Sequence, residues 1–156
     1  MSLIDHPDAA SKARLRLWLR LLAVSRMVEG ELRERLRAID TTLPRFDVMA
    51  ALHRAPDGLK MSELSSVLRV SNGNVTGIVD RLEAEGLAVR LPVAGDRRAL
   101  LVRLTPEGVA AFSDLAARHE AWVNELLAVV TAAEADHLIE QLQAVRNRLA
   151  HRESEA

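Results

Sequence analysis

Three groups of residues in this chain have the types and spacing for recognition chemistry. Asp96-Arg97-Arg98 sets two guanidinium groups side by side between two stretches of alternating apolar residues. Guanidinium is a planar, permanent cation suited to phosphate oxygens and to the narrow, electronegative minor groove of A·T-rich duplexes. Ser71, Asn72, Asn74 and Thr76 present hydroxyls and amides where an amphipathic segment begins. Lys12, Arg16 and Arg20 recur every four residues, with Arg14 nearby and no acid between Asp8 and Glu29.

Catalytic and metal chemistry find no comparable support. The five histidines, His6, His53, His119, His137 and His151, show no ligand spacing, and no two stand four apart on one helix. Gly-x-Ser-x-Gly, P-loop and dinucleotide-binding patterns are missing. The absence of Cys excludes disulfides, thiolate metal sites and thiol redox sensing. The expectation is a protein that is not an enzyme and needs no cofactor or metal.

The elements that must position these groups follow from apolar periodicity. Residues 11–39 carry Leu15, Trp18, Leu22, Leu32, Leu36 and Ile39 at alternating steps of three and four, interrupted by Ser25 and Glu29, which predicts one long helix. Thr41-Thr42-Leu43-Pro44 opens a second helix whose apolar side is Phe46, Met49 and Leu52, ended by Ala55-Pro56-Asp57-Gly58. Residues 61–68 form a short helix with Leu64, Val67 and Leu68 inward. Ser71 caps the next, over 72–85, which buries Val75, Ile78, Val79 and Leu82 and stops at Gly86. Leu87, Val89 and Leu91 then alternate as one strand, and Leu100, Val102 and Leu104 as another, with residues 92–98 as a long loop between them. Thr105-Pro106 starts a long helix carrying Phe112 and Trp122, and Thr131-Ala132-Ala133-Glu134 is a capping box for the last.

Composition agrees with a mainly helical, soluble chain. The 156 residues include only four aromatics, and no apolar run is long enough to span a membrane. Residues 1–12 lack a signal-peptide core, so the expected location is cytoplasmic. The formal charge of −1 conceals an uneven distribution: residues 12–37 sum to +5, residues 60–103 to +2 and residues 105–156 to −5.

The sequence of elements (helix, helix, helix-turn-helix, two-stranded hairpin, long helix, helix) resembles the MarR family of bacterial transcription regulators. The carrying residues run from Leu64 and Leu68 through Ser71-Asn72-Gly73-Asn74-Val75-Thr76 to Val79-Asp80-Arg81-Leu82 and Gly86-Leu87, then Asp96-Arg97-Arg98 and Leu104-Thr105-Pro106-Glu107-Gly108. The resemblance implies a winged helix-turn-helix homodimer. Residues 43–104 would be the DNA-binding domain, and 1–42 with 105–156 the helical dimerisation region. It also implies a regulator, most often a repressor, on a pseudo-palindromic operator. In that setting Ser71, Asn72, Asn74 and Thr76 would meet the major groove, where Asn can pair bidentately with adenine and Thr can touch a thymine methyl. Arg81 would hold a phosphate or an intramolecular acid. Asp96 would orient Arg98 by an ion pair while Arg97 or Arg98 enters the minor groove. The plainer alternatives are capping or solvent-facing asparagines, a solvated hairpin tip, and a helical dimerisation or adaptor protein that binds no DNA.

The basic first helix admits three explanations: pairing with the acidic C-terminal segment inside a dimer, simple solvation, or an anionic effector. MarR-like proteins bind effectors, often aromatic acids or phenols, between the dimer helices and the winged domain. Leu15-Arg16-Leu17-Trp18-Leu19-Arg20 looks similar to a branch that answers to aromatic acyl-CoA thioesters. Arg16, Trp18, Arg20, Phe46, Met49 and His53 are the effector candidates, with Trp122 beside them. Phe46, Met49 and Trp122 read first as plain core. The lack of Cys leaves small-molecule binding, rather than thiol oxidation, as the expected switch.

Two features depart from the resemblance: Gly73 and Gly77 stand in the helix that would meet DNA, each costing up to about 1 kcal/mol against Ala, and the other lies before the helix at 61–68. The family usually places Thr or Ser before the helix at 61–68, and here Lys60 stands there, although Glu63 follows three residues later. A lost cap costs about 1 kcal/mol. Lys60→Thr is therefore expected to raise the melting temperature in a thermal unfolding experiment, and an unchanged or lower value would reject this reading.

Overall fold

The structure, a computed structural model, describes residues 8–68 and 72–154; Ser71 lies outside them, as do Arg69 and Val70. The first helix, α1 (Ala9–Arg37), follows its expected span within two residues at each end. It ends where Asp40 takes the left-handed conformation (φ 57°), with Thr41 N–H bonded to the Leu36 carbonyl at 3.0 Å. Only Leu32 and Leu36 of α1 are buried; Leu15, Trp18 and Leu19 are more than half exposed. Helix α2 (Leu43–Arg54) is capped by Thr42, whose hydroxyl accepts the Arg45 N–H. Phe46, Val48, Met49, Ala51 and Leu52 are buried along it.

Three strands follow, one more than the hairpin expected from periodicity. Strand β1 (Leu59–Lys60) pairs with β3 (Asp96–Leu104), which pairs on its other side with β2 (Ala88–Val93), all antiparallel. Two residues are too few to show a period of two. The expected seven-residue loop is also replaced by a tight turn at Ala94-Gly95, Gly95 having φ 85°. Pro92 lies in β2, an edge strand, where a missing N–H costs no inner ladder bond, and the register shifts between Pro92 and Val93.

Helices α3 (Met61–Leu68) and α4 (Asn72–Ala84) pack on this sheet and on α2. Leu64, Val75, Val79 and Leu82 have no exposed surface. Val67, expected inward, is 58% exposed. With about 100° per residue, it sits roughly 60° from Leu64, and this two-turn helix buries only the Leu64 line. Helix α4 ends in a Schellman motif: Gly86 takes φ 73°, its N–H bonds the Glu83 carbonyl at 3.0 Å, and Leu87 N–H bonds the Leu82 carbonyl at 2.8 Å.

Helix α5 (Pro106–Leu126) starts at a joint with that ending. The Thr105 hydroxyl donates to the Gly86 carbonyl at 2.7 Å and accepts the Gly108 N–H at 3.0 Å. Helix α6 (Ala132–Ser154) opens on the expected capping box: Glu134 accepts the Thr131 N–H at 2.9 Å, and Thr131 accepts the Glu134 N–H at 3.3 Å. By internal contacts the chain forms two compact units that meet at Glu120 and Ala121. No residue of α6 is buried, and Leu138, Ile139, Leu142 and Val145 are about half exposed. Among the described residues, no helix is long and apolar enough to cross a membrane.

A Cβ at Gly108 would stand 1.9 Å from the Leu87 carbonyl oxygen, a backbone atom that cannot swing away. Gly108→Ala is expected to destabilise the protein by about 1–3 kcal/mol through overpacking. Chemical denaturation would measure this, and a free energy within error of wild type would refute it.

Candidate nucleic-acid interface

Helix α4 has two faces. Val75, Val79 and Leu82 are buried, and Asn74, Thr76 and Arg81 point outward and are exposed. Asn72 is the first residue of α4; its side chain, like Ser71, lies outside the described set. Gly77 is exposed as well, and a Cβ there would meet nothing within 4 Å. No contact among the described residues therefore requires glycine at this place. Arg81 lines a shallow groove of about 360 Å³ with Asn74, Gly77 and Thr42.

The wing is β2, its turn and the start of β3. Asp96, Arg97 and Arg98 are all exposed. The ion pair expected between Asp96 and Arg98 is not among those of the described residues. The Asp96 carboxylate accepts the Arg98 backbone N–H at 3.0 Å instead. The tight Gly95 turn presents that N–H two residues away, and its capture leaves the guanidinium free to project.

Sequence reasoning missed the residues that fix wing against helix. Arg90, on β2, bonds the Asp80 carboxylate at 2.6 Å and the Glu83 carboxylate at 3.2 Å, and its backbone N–H also donates to Glu83 at 2.9 Å. Arg45, on α2, pairs with Glu85 at the end of α4. Arg90 was legible as a cation inside an alternating strand, but its acidic partners lie on another element. These pairs dispose of the local negative charge. Of the five acids in residues 60–103, Asp80, Glu83 and Glu85 are paired with arginines. Glu63 and Asp96 accept the backbone N–H groups of Lys60 and Arg98. Among the described residues, the side chains of Lys60, Arg81, Arg97, Arg98 and Arg103 have no such partner. A segment of net charge +2 thus carries several free cations.

The effector candidates fall into three places. Arg16, Trp18 and Arg20 lie on the exposed half of α1. Phe46 is buried and stacks on His119 (centroids 4.4 Å apart), while Phe112 approaches both Phe46 at 5.6 Å and His53 at 4.9 Å. Met49, also buried, lines a cavity of about 320 Å³ with Thr41, Arg45, Asp114 and Arg118. The Thr41 hydroxyl is buried there without a hydrogen-bond partner. Beside the aromatic cluster, burial and the Glu29 carboxylate raise the pKa of Asp47, against opposing pulls from His119 and Arg54. Among the described residues no group of three His, Asp or Glu side chains could hold a metal.

Known proteins are similar to this chain in sequence and in fold. The MarR family model matches residues 39–99. The HTH-type transcriptional regulator PecS of Dickeya dadantii is 30% identical over 131 residues, which cover 83% of this chain and 79% of PecS. A MarR family transcriptional regulator from Silicibacter pomeroyi superposes with a TM-score of 0.71 at 32% identity, over 91% of this chain and 99% of its own. A mutant MarR from E. coli complexed with operator DNA superposes with a TM-score of 0.68 at 30% identity, over 88% of this chain and 98% of its own.

Because the folded pKa of Asp47 is raised, its ionisation opposes folding: the stability is full below the unfolded pKa and falls as pH rises through the folded one. Asp47→Asn is thus expected to stabilise the protein at pH 7 and to lose that advantage below the ordinary carboxylate range. Melting temperatures measured across pH 3–8 would show it; an equal offset at every pH would contradict the linkage.

Proposed function

This chain belongs to the MarR family of transcriptional regulators, and on that premise we propose that it is a homodimeric, ligand-responsive repressor of a pseudo-palindromic operator. The observation that carries the DNA reading is the pairing of acids in the winged segment. It leaves Arg97 and Arg98 on the wing without an ion pair among the described residues, and likewise Arg81 on α4, the helix that carries the exposed Asn74 and Thr76. In this reading Ser71, Asn72, Asn74 and Thr76 meet base edges in the major groove, Arg81 a phosphate, and the wing arginines the minor groove. Asp96 shapes the wing through the Arg98 backbone.

Dimerisation is supported by apolar surface that is exposed among the described residues. Leu15, Trp18 and Leu19 on α1 and Ile139 and Val145 on α6 are each more than half exposed. Residues 1–42 and 105–156 would form the dimer region around the DNA-binding domain at 43–104. The proposed effector is an aromatic acid or its CoA thioester. Trp18 offers an exposed aromatic face on α1, with Arg16 and Arg20 exposed on the opposite side of the helix, and Met49 with Arg45 and Arg118 lines a cavity of about 320 Å³. To release the operator the ligand must bind one dimer conformation better than the other.

A gel shift on DNA flanking the gene for this chain tests the reading, since phosphate contacts must weaken as salt rises. Arg98→Ala is expected to weaken operator binding by about 1–3 kcal/mol at matched salt. Wild-type affinity in that variant would remove the wing from the interface. A wild-type protein that retards no DNA at any salt would favour a helical dimerisation or adaptor protein. Operator affinity unchanged by a panel of aromatic acids and their CoA thioesters would remove the effector from the reading.

A further inference from the structure

Between the start of α3 and the first half of β3 lies a cleft of about 430 Å³, lined by Lys60, Met61, Ser62, Asp96, Arg98 and Leu100 among its walls. The β1–β3 pairing creates it: Lys60 stands opposite Leu101, three residues along β3 from Arg98. Two cations therefore share one polar cleft. Neither Lys60 Nζ nor the Arg98 guanidinium has a hydrogen bond or ion pair among the described residues. Two carboxylates stand nearby, Asp96 within the cleft itself, and each is hydrogen-bonded to a backbone N–H rather than paired with a cation: Glu63 to that of Lys60 and Asp96 to that of Arg98.

A cleft with an ammonium, a guanidinium and the exposed Ser62 hydroxyl has the chemistry of an oxyanion seat. Two facts favour a phosphate of the DNA backbone over a free anion. The cleft is open and continuous with the wing, and Lys60 is exposed, so a duplex can reach it without rearrangement. A minor groove about 6 Å wide also has a phosphate wall on either side of any residue that enters it. When Arg98 sits in that groove, Lys60 on the far side of the same cleft faces the wall.

We propose that Lys60, assisted by Ser62, binds the DNA backbone phosphate flanking the minor groove that the wing enters. This rests on the DNA reading above and adds a contact to it. The cation where a capping hydroxyl was expected is then a phosphate ligand, and the helix start forgoes its side-chain cap to carry it.

The test is the salt dependence of binding by the full-length protein to its operator and to an unrelated duplex. Each phosphate contact contributes about 0.9 to the slope of log affinity against log salt. Lys60→Ala should lower that slope by about two per dimer on both duplexes, so that its defect shrinks roughly tenfold between 50 and 200 mM salt. Lys60→Arg should keep the wild-type slope. Lys60→Thr should show the reduced slope while its melting temperature rises, which separates lost contact from lost folding. A wild-type slope in Lys60→Ala, whether or not affinity falls, overturns the assignment. If the wild-type protein binds neither duplex, the DNA reading itself fails; if it binds and only the slope is unmoved, Lys60 alone is excluded.

Discussion

The Thr105 hydroxyl is the point on which the winged part of the molecule depends. As donor to the Gly86 carbonyl and acceptor from the Gly108 N–H, it joins the end of α4, the end of β3 and the start of α5. The Thr105 N–H closes the same joint on the Leu87 carbonyl at 3.0 Å. Glycine at both contacts has a geometric reason: Gly86 takes positive φ, and Gly108 lies where a Cβ would overlap the Leu87 oxygen. Helix α4 ends and β2 begins within these few residues. Their relative orientation is therefore set by short backbone contacts, and long flexible side chains only reinforce it.

Arg90 and Arg45 supply that reinforcement and also change the electrostatics. Their carboxylate partners are about half exposed, so each pair contributes about 1 kcal/mol or less to stability. The greater consequence is where charge remains. Three carboxylates of the winged segment are bound to arginines and two more to backbone N–H groups, all on α3, α4 or the wing turn. The outward cations on the wing and at Lys60 are left without an ion pair among the described residues. A nearly neutral segment becomes locally cationic without any increase in net charge.

The features legible in the sequence were those whose cause is local. Gly86 announced a left-handed helix ending, Thr131 and Glu134 a capping box, and Val75, Val79 and Leu82 the buried side of α4. All three depend on residues within one or two turns of each other. The features that escaped depend on partners distant in the chain. Leu59-Lys60 is a strand only because β3 lies beside it, forty residues later. The wing turn was obscured because Pro92 and the run Asp96-Arg97-Arg98 look like loop, although Pro92 is tolerated on the edge strand β2 and Asp96-Arg97-Arg98 open β3 beside it. Arg90 read as one more surface cation until Asp80 and Glu83 were brought beside it. The candidate DNA residues were legible by type. What was not legible was the diversion of the Asp96 carboxylate to the backbone, which depends on the turn that Gly95 makes.

The same joint bears on how a ligand could reach the wing. Helix α5 is continuous from Pro106 to Leu126, and its first turn is bonded to Gly86 through Thr105. With no space between Gly108 and Leu87, that turn cannot slide against the start of the wing without breaking backbone contacts. The cavity lined by Met49, Arg45 and Arg118 also has Leu87, Ala111 and Asp114 in its walls, so it touches both sides of the joint. A ligand seated there would bear on the first turns of α5 and on the root of β2 together. Coupling to DNA then requires two arrangements of this body that the ligand binds unequally, since equal binding shifts nothing. The unpartnered Thr41 hydroxyl in that cavity is one polar group a ligand could satisfy in one arrangement alone, and its burial makes the difference costly to ignore.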